Sequence, residues 1–274
     1  MDMTHYEQML KKPSAEGRDA EAKWDARADE FYDSQREKES ELTDRVTEFL
    51  LTKGFLGGLD VLDVGGGAGR YAVPFAAYAK KVVMTDISGR MLERAKENAE
   101  RAGRSNLEYV KLDWAAADPA ASGWGGRFDL VFASMCPAVG SREGIDKMSF
   151  VSGGRCVINR MIESKDTVAE ILREELAIRP SYDPHNDRDS VQGIFNILWL
   201  QGYEPEIAYL KERVEARLSV EEAASRYARK FGEAAAEKGL SLRDLLSGCA
   251  EGGEVVVKNR TTLAMIYWKA RTGE

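Results

Sequence analysis

Residues 61–70 read VLDVGGGAGR, an apolar run that turns abruptly into glycines and carries one acid. Asp63, Gly65, Gly67 and Gly69 follow D-x-G-x-G-x-G, with Gly66 inside the run. Glycines here permit positive φ and close approach of backbone to a ligand, and a helix starting behind them offers free amide donors. The dinucleotide fingerprint G-x-G-x-x-G begun at Gly65 needs a glycine where Arg70 stands, which disfavours a nicotinamide cofactor. Two more acids stand at matching places. Asp86 closes the apolar run 81–85 (KVVMT), where a carboxylate can accept both hydroxyls of a ribose. Asp113, in KLDW after the run 107–112, can accept from an adenine amino group, with Ile87 or Trp114 against the ring. The bland alternatives are local: Asp63 capping its own loop, Asp86 and Ser88 capping a helix.

The second chemically dense stretch is 181–189 (SYDPHNDRD). Asp183, His185, Asp187 and Asp189 alternate, and His185 is the candidate catalytic base for a thiol, hydroxyl or amine. The competing reading is a polar turn in which Asp187 or Asp189 caps the next helix. A divalent cation on these oxygens is disfavoured because calcium-loop spacing is absent, and no metal is expected. Three separated cysteines (Cys136, Cys156, Cys249) suit reduced thiols, and two histidines exclude a histidine-rich metal centre.

The elements that must position these residues alternate. Strands are expected at 60–64, 81–85, 107–112, 128–133 and 155–161, with helices at 68–79 and from Ser88 to Ala102, stopped by Gly103. Such alternation implies a parallel sheet with helices on both faces, and it sends Asp63, Asp86 and Asp113 to the same sheet edge. Residues 1–22 are polar and expected to be loosely docked, while 24–51 is helical, with Trp24, Ala28, Phe31 and Tyr32 on one face. The last third reads as helix 165–179, helix 191–200, strand 206–218, helices 219–238 and 241–248, and strand 262–269. Segments 165–202 and 219–250 are expected to cap the ligand edge.

The chain has 274 residues, 43% hydrophobic and 31% charged, and a net charge of −7, so a globular fold is expected and a broad nucleic-acid footprint is not. No apolar run approaches the roughly 20 residues of a membrane helix, and the N-terminus lacks a signal-peptide core, so a cytoplasmic protein is expected.

On these motifs, residues 59 to 161 resemble the core of class I S-adenosylmethionine-dependent methyltransferases. Residues 63–69 match the family's first motif, Asp86 its ribose-binding acid, Asp113 its adenine-contacting acid, and 128–133 its fourth strand. The resemblance implies an α/β, Rossmann-like, doubly wound sheet of seven mostly parallel strands, the final one antiparallel. It divides the chain into an N-terminal helical extension (1–50), a cofactor-binding core (51–164), and cap insertions with the last two strands (165–274). It implies S-adenosylmethionine held by Asp63, Gly65, Gly66, Gly67, Gly69, Asp86, Ile87, Asp113, Trp114 and Ser134, with S-adenosylhomocysteine as product. After the fourth strand the sequence Ser134-Met135-Cys136-Pro137-Ala138-Val139 departs from the acid-or-amide, double-proline, aromatic signature of base-amino methylation. Cys136 is therefore expected to wall a pocket and not to act as a nucleophile. The expected activity is methyl transfer to a small-molecule acceptor by a monomer or homodimer. The rivals are RNA or protein methylation, aminocarboxypropyl transfer, and cofactor binding without catalysis.

Overall fold

The computed structural model describes residues 2–10, 17–36, 41–179 and 181–271. Four helices come first: α1 (Met3–Met9), α2 (Gly17–Asp25), α3 (Ala28–Arg36) and α4 (Leu42–Thr52). Alternation then gives β1 (Asp60–Val64), α5 (Ala72–Phe75), β2 (Lys81–Asp86), α6 (Gly89–Arg101), β3 (Leu107–Lys111), β4 (Phe128–Ser134), α7 (Arg142–Val151) and β5 (Ser152–Asp166). The last third holds α8 (Thr167–Glu175), α9 (Arg188–Leu200), β6 (Glu206–Ser219), α10 (Val220–Glu237), α11 (Leu242–Gly248), β7 (Ala250–Glu251) and β8 (Glu254–Lys269).

The strands form one sheet in the order β3-β2-β1-β4-β5-β8-β6, with β7 beside β8. The pairs β1–β2, β2–β3, β1–β4 and β4–β5 are all parallel. Val61, Leu62 and Val64, Val82 to Met84, Leu130 to Ala133 and Cys156 to Ile158 are buried, the near-continuous apolar pattern of parallel strands covered on both faces. The chain runs outward from β1 to β3 and then returns to the other side of β1 as β4. That reversal makes a topological switch point at the carboxyl ends of β1 and β4, the place where open α/β sheets bind ligands.

The structure departs from the sequence reading in four places. The sheet has eight strands and not seven, because the two-residue β7 pairs antiparallel with β8 across a turn at Gly252 and Gly253. The helix expected over 68–79 shrinks to α5, since Gly69 takes φ 85° and turns still occupy the residues before Ala72. Strands β5 and β8 run well beyond 155–161 and 262–269. Part of the loosely docked N-terminus is α1, whose Tyr6 and Leu10 are buried. It packs on α9, where a Cβ at Gly193 would lie 2.9 Å from the Tyr6 carbonyl oxygen.

Two compact units divide the chain. The first comprises Met1–Arg160, Asp187–Leu210 and Leu263–Glu274, the second Met161–Asn186 and Lys211–Thr262. The second has its own core, built from Val168 and Leu172 of α8, Tyr227 and Phe231 of α10, Leu246 of α11, and Val255 and Val257 of β8. At its centre the Tyr227 hydroxyl lies 2.8 Å from both oxygens of Asp166, whose carboxylate also accepts from the Ala169 amide and caps α8. A hydroxyl–carboxylate bond in a partly buried setting contributes about 1–2 kcal/mol. Tyr227→Phe is therefore expected to lower the urea midpoint by an equivalent amount; an unchanged midpoint would show that the bond contributes nothing net. Among the described residues no helix is long and apolar enough to cross a membrane.

Candidate active site

The glycine loop leaves β1 in a conformation that side chains resist: Gly65, Gly67 and Gly69 have φ of 67°, 59° and 85°. At Gly65 space is closed as well, since a Cβ would lie 2.4 Å from Cys136 Sγ. The Gly66 amide donates to the Thr85 carbonyl at 3.0 Å, which ties the loop to β2. Asp63 is 2% exposed, and its Oδ2 has no hydrogen-bond partner. Burial, with the nearby Asp86 charge adding to it, pushes the Asp63 carboxyl up to about 7. A buried, underused carboxylate beside a glycine loop fits a cationic ligand group.

This sets a pH dependence. The folded Asp63 holds its proton to about 7, whereas the unfolded carboxyl loses it near 3.8. Between those values the native state binds more protons, so stability falls as pH rises from about 4 to 7 and then levels. The expected loss is roughly 2–4 kcal/mol. Urea unfolding at pH 5 and 8 should show it in the wild type, and Asp63→Asn should remove most of it. An unaltered difference in that variant would assign the effect to other groups.

Asp86 is buried at the end of β2, with Oδ2 accepting from the Gly67 amide and Oδ1 from the Ser88 amide, both at 2.9 Å. Burial raises its carboxyl above the usual range, partly offset by the Ser88 and Gly67 amides. Ser88 caps α6 by accepting from the Met91 amide, and its hydroxyl donates to Asp25 at the end of α2. The helices α2 and α3 lie against α6 and the loop: Ala28, Ala68 and Met91 form a buried cluster covered by Trp24 and Phe31. Arg90 and Arg94 bind Asp29, and Lys111 binds Glu21. The Trp24–Phe31–Tyr32 face of the sequence reading therefore does pack over the glycine loop and α6, with Tyr32 reaching Arg101.

Asp113 follows β3 and is half-buried, one oxygen accepting from the Ala115 amide at 3.0 Å. Trp114 is buried, with its indole N–H donating to the Gly144 carbonyl, so the ring docks on α7. Ile87 is half-buried beyond Asp86, and Ser134 ends β4 opposite Asn159. Strand ends thus bring Asp63, Asp86, Asp113, Ser134 and residues 65–69 to one edge. His185 belongs to the second unit, in a short 3-10 turn at Pro184–Asn186. It is half-exposed, its amide donates to Asp183, its Nδ1 lies 3.1 Å from that carboxylate, and Asp187 caps α9.

Four residues had no sequence signal. Tyr71 lies with its hydroxyl beside Ser134 and Asn159, and its ring 5.0 Å from that of Phe132. Asn159 is wholly buried, Arg160 donates to the Cys136 carbonyl at 3.0 Å, and Met135 takes φ 51°. Cys136 is buried with its thiol pushed up to about 11 by burial, so it is protonated at neutral pH and forms the wall behind Gly65.

Comparison with known proteins agrees with this geometry. Residues 61–148 match the family model described as a methyltransferase domain. The crystal structure of a Bacillus halodurans C-125 protein described as a methyltransferase superposes with a TM-score of 0.52 at 19% identity, covering 82% of this chain and 99% of that one. Precorrin 8w decarboxylase of Methanobacterium thermoautotrophicum gives 0.50 at 14% identity, covering 82% and 89%. Both share the fold. The tRNA 5-carboxymethoxyuridine methyltransferase of Escherichia coli K12 is 42% identical over 53 residues, 19% of this chain and 20% of that protein. The tRNA/tmRNA (uracil-C(5))-methyltransferase of a Nitratiruptor species is 36% identical over 53 residues, 19% and 15%. The chain thus spans about a fifth or less of these curated relatives. Residues 61–148 are thus similar to a methyltransferase domain, and the chain shares its fold with a protein described as a methyltransferase.

Proposed function

We propose that the protein transfers a methyl group from S-adenosylmethionine to a small-molecule acceptor. The observation that carries this reading is the buried Asp63 carboxylate, unpartnered at Oδ2, beside a positive-φ glycine loop, with Asp86 at the next strand end. In this reading Asp63 would take the cofactor's ammonium, the 65–69 loop would lie against its amino-acid end, and Asp86 would take the ribose hydroxyls. Asp113 and Ile87 would flank the adenine, and Ser134 would complete the cofactor-binding set. The bound cofactor supplies an electrophilic methyl on sulfur. The chain's part is to orient the acceptor in line with that methyl and to exclude water, which can provide much of the rate.

Two features favour a small acceptor: α2 and α3 cover the loop, and the net charge of −7 opposes a polyanion. A second reading, methylation of tRNA, rests on the 53-residue stretches shared with tRNA methyltransferases. We place the protein in the cytoplasm in either reading.

Calorimetric titration with S-adenosylmethionine, S-adenosylhomocysteine and NADH tests the cofactor. Tritiated methyl transfer into a desalted small-molecule extract, bulk tRNA and protein tests the acceptor. Binding of the first two ligands with label in the small-molecule fraction supports the proposal. Label confined to tRNA establishes the second reading, and NADH binding alone overturns both.

A further inference from the structure

Three acids gather along the carboxyl edge at β1 to β3. Asp113 follows β3, Asp86 ends β2 and Asp63 lies below the loop of β1, groups suited to the amino, hydroxyl and ammonium functions of the proposed cofactor. Past Ser134 of β4 the next strand, β5, brings Asn159 and Arg160 to the same edge. The Arg160 guanidinium is half-buried and donates to the Cys136 carbonyl at 3.0 Å, while Cys136 Sγ abuts Gly65. A cation therefore stands one residue away from the glycine loop, in a chain of net charge −7.

Two independent features mark this lip as built for a ligand. Met135 adopts φ 51°, a conformation that non-glycine residues avoid and that recurs at ligand sites. The bend it makes lets the Met135 amide donate to the Asn159 carbonyl at 3.0 Å while the next carbonyl, that of Cys136, meets Arg160. Asn159 is 0% exposed, with the Tyr71 hydroxyl as its polar neighbour, yet neither Nδ2 nor Oδ1 makes a hydrogen bond of ordinary geometry. Buried amides are normally satisfied, and an unsatisfied one beside a strained turn is the pattern of a site and not of a core.

We infer that Arg160, at the lip of β5, recognises a carboxylate on the methyl acceptor. The inference rests on the methyltransferase reading and specifies the acceptor for it. A guanidinium is planar, permanently charged and matched to the two oxygens of a carboxylate. Asp63, Asp86 and Asp25 stand near the loop, and the Arg160 charge offsets their repulsion of an anionic acceptor. The acids serve the cofactor and the arginine serves the acceptor, so the two substrates are sorted by charge along a single edge.

The test uses the full chain as wild type, R160M and R160K. Labelled S-adenosylmethionine is offered with a desalted small-molecule extract and with bulk tRNA. Each is used untreated and after its carboxylates are converted to amides with carbodiimide and an amine. Calorimetry with S-adenosylhomocysteine and with methylthioadenosine, which lacks the amino-acid end, runs beside it. Expected are a tenfold or greater loss of wild-type label after amidation and a thirtyfold or greater loss in R160M. R160K should be intermediate, and S-adenosylhomocysteine affinity should stay within threefold throughout. Label in the extract or in the tRNA tells whether the carboxylate is on a metabolite or a nucleoside. Undiminished label in R160M, or after amidation, overturns the inference and leaves the methyltransferase reading standing. So does a loss of S-adenosylhomocysteine affinity that methylthioadenosine does not share, since the guanidinium would then hold the cofactor. If the wild type binds S-adenosylhomocysteine but labels nothing, the transferase reading fails and this inference fails with it. Should R160M melt below the assay temperature, R160K decides by the same criteria.

Discussion

Asp86→Ala is expected to weaken S-adenosylhomocysteine binding at least a hundredfold and to lower the melting temperature by several degrees. The carboxylate has two structural bonds, accepting from the Gly67 and Ser88 amides at 2.9 Å, and so joins the loop to the start of α6. Each amide-to-carboxylate bond contributes about 1.5–3 kcal/mol, and alanine would leave both amides unpaired near a buried position. In the proposed function the same carboxylate also accepts from the ribose hydroxyls, and a hundredfold change corresponds to about 2.7 kcal/mol. Asp86→Asn separates these contributions. Its carbonyl can still accept from one amide, but its NH2 opposes the other, so folding should recover more than binding does. Calorimetry and thermal melting on both variants supply the check. If Asp86→Ala binds within threefold of wild type, the residue is purely structural and the ribose assignment is wrong.

Gly65→Ala should have a comparable effect on binding from a single methyl group. Its Cβ would lie 2.4 Å from Cys136 Sγ and 3.1 Å from Cys136 Cβ, on a backbone at φ 67°. The contact forces the loop or the Cys136 wall to shift, and the conformation itself costs an alanine about 1–2 kcal/mol. S-adenosylhomocysteine affinity is expected to fall about a hundredfold or more on these grounds. The double variant Gly65→Ala/Cys136→Ala removes the sulfur but neither the Cys136 Cβ contact nor the positive φ. It should therefore regain only part of the affinity. Full recovery would mean that backbone strain is negligible, and no recovery would mean that the clash is.

Much of this architecture was readable without coordinates. The strands at Asp60–Val64, Lys81–Asp86 and Phe128–Ser134 are short apolar runs ended by glycine, aspartate or serine, and they formed within a residue or so of their expected bounds. Ser88 was a legible helix cap because an N-cap needs only one side chain and the amide three residues on. The second unit was harder to read. Its strand β6 alternates exposed Lys211, Arg213, Glu215 and Arg217 with half-buried residues, but nothing local signals the far halves of β5 and β8. The division into units also cuts across the sequential division expected from the chain, because strands distant in sequence contribute to each unit.

Trp114 and Cys136 show where local reading stops. A tryptophan after a strand is equally suited to stack on an adenine or to dock on a helix, and only the Gly144 carbonyl beside its N–H shows that the ring is held on α7. The cysteine after β4 gains its place from Gly65, which lies 71 positions earlier and whose missing Cβ makes room for the sulfur.

The sequence by itself determined the strand–glycine–helix loop, the order of the acids along the edge and the parallel core, because each depends on residues within one element or one turn. Tertiary structure alone decided that Asp63 is a buried acid unpartnered at Oδ2 and held up to about 7, that α2 and α3 cover the loop, and that Asn159 and Arg160 stand at the lip beside a strained Met135. The physical reason is that burial, desolvation and vacant hydrogen-bonding groups are properties of what surrounds a residue, and those surroundings come from strands and helices far away in the chain.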